Sequence, residues 1–347
     1  MLGSRVRAPG GAQRQFISEL PFFVVVGSLH EICLLKDSMI KSMRSENVKL
    51  RSRYDGLDVS VLVTVPETEQ VAVLQVAHGM RGCKERFLPF MKFMAEHGVV
   101  CIANDHRGHG ESVKALSDRG YMYSGGYVAL VEDMKMVTDW AHERFPDLPV
   151  YLLGHSMGSL AARTYMKNHD DAVSGLFVCG SPSQPPMASV MLALVRMLCV
   201  FGNGRMRLPV VQDMTSWMYN RRFSKEGRNA WTCSDPSVRR DFLANPSCSF
   251  DFTVNATYAL MSMMHETYSR SGWNVANPDL PVYFVSGDAD PCMRGEAAFH
   301  AAAQHMADIG YRNVTSALYA GMRHEILNEI GKETVWEDIL SHISGKK

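Results

Sequence analysis

The chain has 347 residues, 46% of them hydrophobic and 21% charged, enough for one large α/β domain with an insertion or for two ordinary domains. Basic and acidic side chains balance at 36 each, so no whole-chain field draws it to nucleic acid or to an anionic membrane. Its eight cysteines are dispersed without a Cys-x-x-Cys pair, several of them in apolar strand-like runs, and read as reduced thiols of a cytoplasmic protein.

Residues 1–46 form an atypical extension. Arg5, Arg7 and Arg14 stand among Gly and Pro ahead of the apolar run 20–29, which is too short to span a bilayer. Basic residues before Phe22-Phe23-Val24-Val25-Val26 resemble a signal peptide, but no Ala-x-Ala-like cleavage site follows, and His30 and Glu31 end the run. Met39 or Met43 is the competing start, because the fold pattern begins only at Val48.

From residue 47 the rhythm is that of strands and helices. Runs 48–54 and 57–65 read as paired strands around an Asp55-Gly56 hairpin turn. Strand 71–77 leads to His78-Gly79-Met80, helix 85–97 closes on Gly98, and strand 99–103 leads to Asp105-His106-Arg107-Gly108-His109-Gly110. Helix 126–144, strand 150–153, helix 157–168 and strand 175–179 continue the alternation, which implies an α/β fold with a mostly parallel sheet covered on both faces. Over 182–275 it stops and gives way to helical segments rich in Met, Trp, Tyr and Phe, an inserted cap between a first core part, 47–181, and a second, 276–347. Strand 282–285, helix 296–309, strand 314–319 and helix 332–343 complete the pattern.

Gly154-His155-Ser156-Met157-Gly158 stands where strand 150–153 turns into a helix. This is a nucleophile elbow: the glycines remove side chains that would collide at a sharp turn, lifting the Ser156 hydroxyl above the sheet beside the Met157 N–H. A serine hydroxyl needs a base and a group to orient that base. Strand 282–285 ends in Gly287-Asp288-Ala289-Asp290-Pro291, a loop with two carboxylates, and strand 314–319 ends in Gly321-Met322-Arg323-His324, so Ser, Asp and His arrive in the order this architecture requires. A second oxyanion donor is expected after the third strand, at the backbone N–H of Met80.

These stretches, with Glu325 after His324, resemble the α/β-hydrolase superfamily, in particular the monoacylglycerol lipase and lysophospholipase group filed with the S33-type serine aminopeptidases, and the likeness runs from about residue 48 to the end. The resemblance implies an α/β-hydrolase fold, Ser156 as nucleophile, Asp290 as acid, His324 as base, and Met80 and Met157 as oxyanion donors. Pro291 also favours Asp290, leaving Asp288 to brace the turn. The first forty residues have no counterpart in the family, and Arg81-Gly82-Cys83-Lys84-Glu85 lacks the Ala-Glu-His continuation of relatives. The expected activity is hydrolysis of carboxylic esters of lipid-like substrates, monoacylglycerols or lysophospholipids, through an acyl-enzyme, with no cofactor and at most transient membrane contact. One alternative is an aminopeptidase whose cap presents Glu226, Asp235, Asp241 or Glu266 to a free amine; another is a non-catalytic binding protein of the same fold.

Other residues read as structural. Asp105, His106 and His109 lack the converging geometry of a metal site, Arg107 ties down its turn, His78 braces its loop, and His155 packs under the elbow. Of the 23 methionines, Met187, Met191, Met197, Met206, Met214, Met218, Met261, Met263 and Met264 fall in the cap; helix packing is expected for most, an acyl channel for the rest. The pairs Arg221-Arg222 and Arg239-Arg240 are expected to face solvent. A chain lacking residues 1–42 is expected to fold and keep esterase activity; a truncated protein that fails to fold would show instead that the extension belongs to the fold.

Overall fold

The computed structural model describes residues 43–207 and 209–345. The apolar run 20–29, Cys33 and the alternative start at Met39 lie outside the described residues. Eight strands, β1 (Met43–Arg51), β2 (Asp58–Pro66), β3 (Ala72–Ala77), β4 (Val99–Asn104), β5 (Val150–His155), β6 (Gly175–Cys179), β7 (Val282–Gly287) and β8 (Val314–Tyr319), form one sheet in the order β1-β2-β4-β3-β5-β6-β7-β8. The β1–β2 and β2–β4 pairs are antiparallel and the others parallel. The helices are α1 (Leu88–Glu96), α2 (Gly126–Arg144), α3 (Met157–His169), α4 (Ala188–Phe201), α5 (Pro209–Asn220), α6 (Pro236–Ala244), α7 (Val254–Tyr268), α8 (Glu296–Ile309) and α9 (Lys332–Ser344).

The inner strands read as unbroken apolar runs because both faces are covered. Along β5, Leu152 joins a cluster with Leu160 and Tyr165 of α3, whereas Leu153 joins the opposite cluster with Met91 and Met94 of α1 and Trp336 and Ile339 of α9. In β7, Phe284 likewise faces Phe299 of α8, while Tyr283 and Val285 face the α1/α9 layer. The chain crosses to opposite sides of β3 in forming β4 and β5, so the crevice at the carboxyl ends of β3 and β5 is the topological switch point, the place where such sheets bind ligands.

Two sequence expectations change at the antiparallel edge. The last four residues of the expected extension, Met43 to Glu46, belong to β1 and pair with Pro66 to Val63. Three of the four are polar and none is buried, so no apolar alternation announced them. The hairpin is wider than a two-residue Asp55-Gly56 turn: the ladder closes at Arg51 with Asp58, and residues 52–57 form the loop. Buried tertiary bonds override the local turn signal here, since the Ser52 hydroxyl donates to Asp133 of α2 and Asp55 receives Arg107 at 3.1 Å.

Between β6 and β7 lie α4 to α7, with an isolated bridge from Arg207 to Thr253 in place of a sheet. The methionines there divide differently from expectation. Met263 is buried, but Met187, Met191, Met197, Met206, Met214 and Met218 are exposed, together with Phe201 (86%) and Trp217 (65%). Packing therefore explains a minority of them, and Met197 lines a cleft together with Phe201, Tyr258 and His265. Among the described residues no helix is long and apolar enough to cross a membrane.

The loop after β4 is held from within. Arg107 is fully buried, donating to Asp133 at 2.9 Å and to Asp55, so it reaches well beyond its own turn. Asp105 accepts from the backbone N–H groups of Lys84 at 2.8 Å and Glu111 at 2.9 Å and from Lys84 Nζ at 2.9 Å. His78, His106 and His109 cluster beside it, the first two rings 4.3 Å apart. Burial pushes the pKa of His106 down to about 3 and that of His109 to about 4, and lowers that of His78 well below 6.5; His155 falls to about 4 for the same reason. Unfolded, these imidazoles take up protons below about pH 6.5. Their contribution to stability is therefore complete above that pH and drains as pH falls through about 4 toward 3. His324, raised by Asp290, acts in the opposite sense but is one group against four. The melting temperature should decline steadily from pH 7 to 4.5 when followed by circular dichroism; a flat profile would contradict this account.

Candidate active site

Ser156 separates β5 from α3 with φ 55° and ψ −119°, a conformation that costs a non-glycine residue about 1–3 kcal/mol and persists only where packing enforces it. The enforcement is visible in the flanking glycines. A Cβ on Gly158 would collide with the carbonyl oxygen of Ala77 in β3, and one on Gly154 with the carbonyl of Gly158. The start of α3 thus lies directly on the sheet backbone, while the Ser156 N–H is tied to the Cys179 carbonyl of β6 at 3.0 Å.

The loops after β7 and β8 meet this turn. Ser156 Oγ is 2.8 Å from His324 Nε2, and His324 Nδ1 is 2.9 Å from Asp290 Oδ2. With Nδ1–H donating to the carboxylate, Nε2 is left to accept the serine proton. Asp290 is buried and also accepts from the Ser286 hydroxyl at 3.1 Å and the Cys292 N–H at 2.8 Å. Asp288 is exposed and accepts from the Gly321 N–H at 2.8 Å, bracing the neighbouring loop rather than its own turn. Burial lowers the pKa of His324, but the Asp290 carboxylate outweighs it and holds the imidazole well above 6.5.

Met157 is the first residue of α3, where backbone N–H groups have no partner four residues back. Gly79 lies against Ser156, 2.9 Å separating the Ser156 Cβ from where a Gly79 Cβ would stand, so the loop carrying Met80 borders the same space. His78 holds that loop: Nδ1 contacts the Gly79 carbonyl at 2.8 Å and Nε2 accepts from the His106 N–H at 2.9 Å. His155 bonds the His324 carbonyl at 3.0 Å from beneath.

The insertion presses on the other side of His324. Trp231 packs against the imidazole at 5.1 Å, its ring tilted by 40°, and Tyr219 packs against Trp231 at 5.0 Å, tilted by 51°. Arg323 donates to both carboxylate oxygens of Glu226 at 2.8 Å and covers Phe223 at 4.0 Å. The Glu325 N–H donates to the Thr232 carbonyl at 2.7 Å, and its carboxylate pairs with Arg86 of the core. None of these partners was singled out from the sequence for such a role. The charges of Arg323 and Glu325 beside His324 were the available signal, but their partners stand 97 and 239 positions away. Arg239 corrects another expectation: it is buried and donates to the carbonyls of Cys233, Ser234 and Glu226, whereas Arg240 is exposed.

A family model described as serine aminopeptidase, S33, matches residues 68–331. The chain belongs to this family. The monoacylglycerol lipase of Mycolicibacterium smegmatis is 25% identical over 313 residues, covering 88% of this chain and 99% of that one. A thermostable carboxyl esterase from Bacillus coagulans, solved with glycerol, superposes with a TM-score of 0.80 at 28% identity, covering 88% and 99% of the two chains. A soluble variant of Saccharomyces cerevisiae monoglyceride lipase shares the fold, with a TM-score of 0.69 at 17% identity over 89% and 97%. This S33 chain is thus a hydrolase with the α/β-hydrolase fold.

Among the described residues two groups of side chains have donor atoms close enough to suggest a cation. In the first, Asp290, Cys292 and His324, the carboxylate and imidazole already bond each other. In the second, Glu85, Asp105 and Glu111, the Lys84 ammonium sits among the oxygens, pairing with all three carboxylates. His106 and His109 take part in neither.

Replacing Asp290 by Asn should keep the fold but leave His324 without the acceptor that sets its tautomer, lowering kcat by roughly 10⁴. Asp288→Asn, at the exposed brace, should cost less than about tenfold. Steady-state kinetics on both variants at matched melting temperature decides between the carboxylates, and a larger loss at Asp288 would reverse the assignment.

Proposed function

We propose that this hydrolase cleaves carboxylic esters of lipid-like substrates through an acyl-enzyme, with Ser156 as nucleophile, His324 as general base and Asp290 as the group that orients it. The observation carrying this reading is the continuous hydrogen-bonded line from the Ser156 hydroxyl through His324 to the buried Asp290 carboxylate, 2.8 and 2.9 Å in its two steps. His324 takes the serine proton as Oγ attacks the ester carbonyl, and Asp290 stabilises the imidazolium that forms. Backbone N–H groups of Met157 and Met80 receive the oxyanion. The imidazolium returns its proton to the leaving alcohol; water, activated by the same base, then releases the acid. Removing either Ser156 or His324 should abolish most activity, and removing both should add little.

The aminopeptidase alternative requires an uncommitted acid near the site. Glu226 is held by Arg323, Glu266 pairs with Lys167, and Asp235 caps α6 by accepting from the Ser237 N–H at 2.8 Å. Only Asp241 of the four lacks such an engagement here, and it is exposed. A free ammonium would therefore meet little unpaired negative charge, whereas the outer face of α4 and α5 offers apolar side chains to a lipid aggregate. The related lipase and esterase point the same way. The geometry of the three residues also favours a catalyst over a binding protein, which has no need of a strained serine.

A panel of p-nitrophenyl esters, monoacylglycerols, lysophosphatidylcholine and aminoacyl anilides tests the substrate class. Esters should be turned over and anilides should not. Anilide turnover above that of every ester would replace the lipid reading with the peptidase, and absence of fluorophosphonate labelling at Ser156 would remove catalysis by this serine altogether.

A further inference from the structure

The loop that follows Met80 meets the insertion at a pair of thiols. Cys83 Sγ lies 3.7 Å from Cys248 Sγ, and both side chains are fully buried. They stand 165 positions apart in sequence, Cys83 just before the turn Lys84–Phe87 of the core and Cys248 in the turn after α6 of the insertion. The seam around them is built from the same two segments. Arg81 Nε donates to the Cys248 carbonyl at 3.1 Å, Asn245 Nδ2 reaches Cys83 Sγ at 3.8 Å, and the Arg86 and Arg81 guanidiniums lie over the Phe242 ring at 4.8 and 5.7 Å.

The two sulfurs differ in character. The hydrogen bond from Cys83 lowers the pKa of Cys248, with Arg86 and Arg81 assisting, while Cys83 is pushed up and keeps its proton. A thiolate beside cations is the reactive form, and a second thiol in contact with it is placed to resolve the product of its oxidation.

We propose that Cys83 and Cys248 are a modification site for a small hydroperoxide, forming a reversible disulfide that fastens the Met80 loop to the insertion and slows turnover. The Cys248 thiolate attacks the peroxide, whose O–O bond breaks. The departing oxygen leaves as an alcohol, or as water from hydrogen peroxide, after taking a solvent proton. Cys83 sulfur then attacks the resulting sulfenic acid and expels water with its own thiol proton. Two thiols lose two electrons, and the peroxide bond gains them. To bond, the sulfurs must close from 3.7 Å to about 2.05 Å. Only Arg81, itself held at φ 60°, and Gly82 separate Cys83 from Met80, so the pull reaches the oxyanion donor with little slack. Misplacing such a group by about 1 Å costs on the order of 10² in rate.

The rate effect rests on the serine-hydrolase reading and on Met80 as a donor; formation of the bond does not. The full chain would be treated with hydrogen peroxide, then analysed by peptide mass mapping and by kcat on a p-nitrophenyl ester, before and after a dithiol reductant. A linked peptide pair containing Cys83 and Cys248 is expected, with kcat reduced at least about tenfold and restored on reduction. Cys83→Ala and Cys248→Ala should keep basal activity and lose this response. Absence of the linked pair would overturn the proposal, as would a linked enzyme with unchanged kcat, or a response that persists in both variants. If no ester is hydrolysed, the peptide map still tests the bond, and the failure falls on the functional reading alone. If the alanine variants do not fold, mapping of the unsubstituted chain decides.

Discussion

The close approach of α3 to β3 is the constraint from which the site follows. With no side chain at Gly158, the first turn of the helix rests on the Ala77 carbonyl, and the chain between β5 and α3 has no room for an ordinary turn. Ser156 is forced into its positive φ, its hydroxyl rises out of the sheet, and the unpartnered N–H groups of the helix start are carried to the same place. Gly79, two residues after Ala77, then has to pass Ser156 at close contact. One contact between backbones thus aligns the serine, the helix terminus and the Met80 loop. A methyl group at position 158 would lift the helix and separate all three.

The imidazole of His324 is positioned by different means. His324 stands in a loop gripped from two directions, by Glu226 through Arg323 on the insertion side and by Arg86 through Glu325 on the core side. Glu329 adds a third hold, accepting from the N–H groups of Ser234 at 2.8 Å and Arg323 at 3.0 Å. The serine is therefore set by the sheet and the imidazole by the seam between sheet and insertion. The Arg86–Glu325 pair is little exposed and the Glu226 end of the other is open to solvent, yet both suit the second task, because their direction is specific even where their net contribution to stability is small.

Much of this was legible in the sequence because it depends on local pattern. The strands from β2 onward and the elbow follow from apolar runs and glycines whose neighbours are close in the chain, and the positions of Ser156, Asp290 and His324 follow from the order of strand ends. What escaped depends on partners far away. The hairpin between β1 and β2 opened because Asp55 answers to Arg107, 52 residues on, as well as to the Leu57 N–H of its own turn. Arg239 looked like half of a solvated basic pair, yet the carbonyls it satisfies come from a fold-back of the insertion that no periodicity encodes. The methionines were misjudged because an apolar stripe on a helix has the same appearance whether it faces a core or the outside.

The order of the strands also bears on how this chemistry comes into being. Ser156 is in place once β3, β5 and β6 have paired, but Asp290 and His324 arrive on β7 and β8, which add to the far edge of the sheet after some 100 residues of insertion have been laid down. A chain emerging from the ribosome would carry Ser156 on its turn without His324 beside it until its last two strands dock. The hydrogen-bonded line from Ser156 to Asp290 is thereby withheld from every partly assembled species and completed only with closure of the sheet.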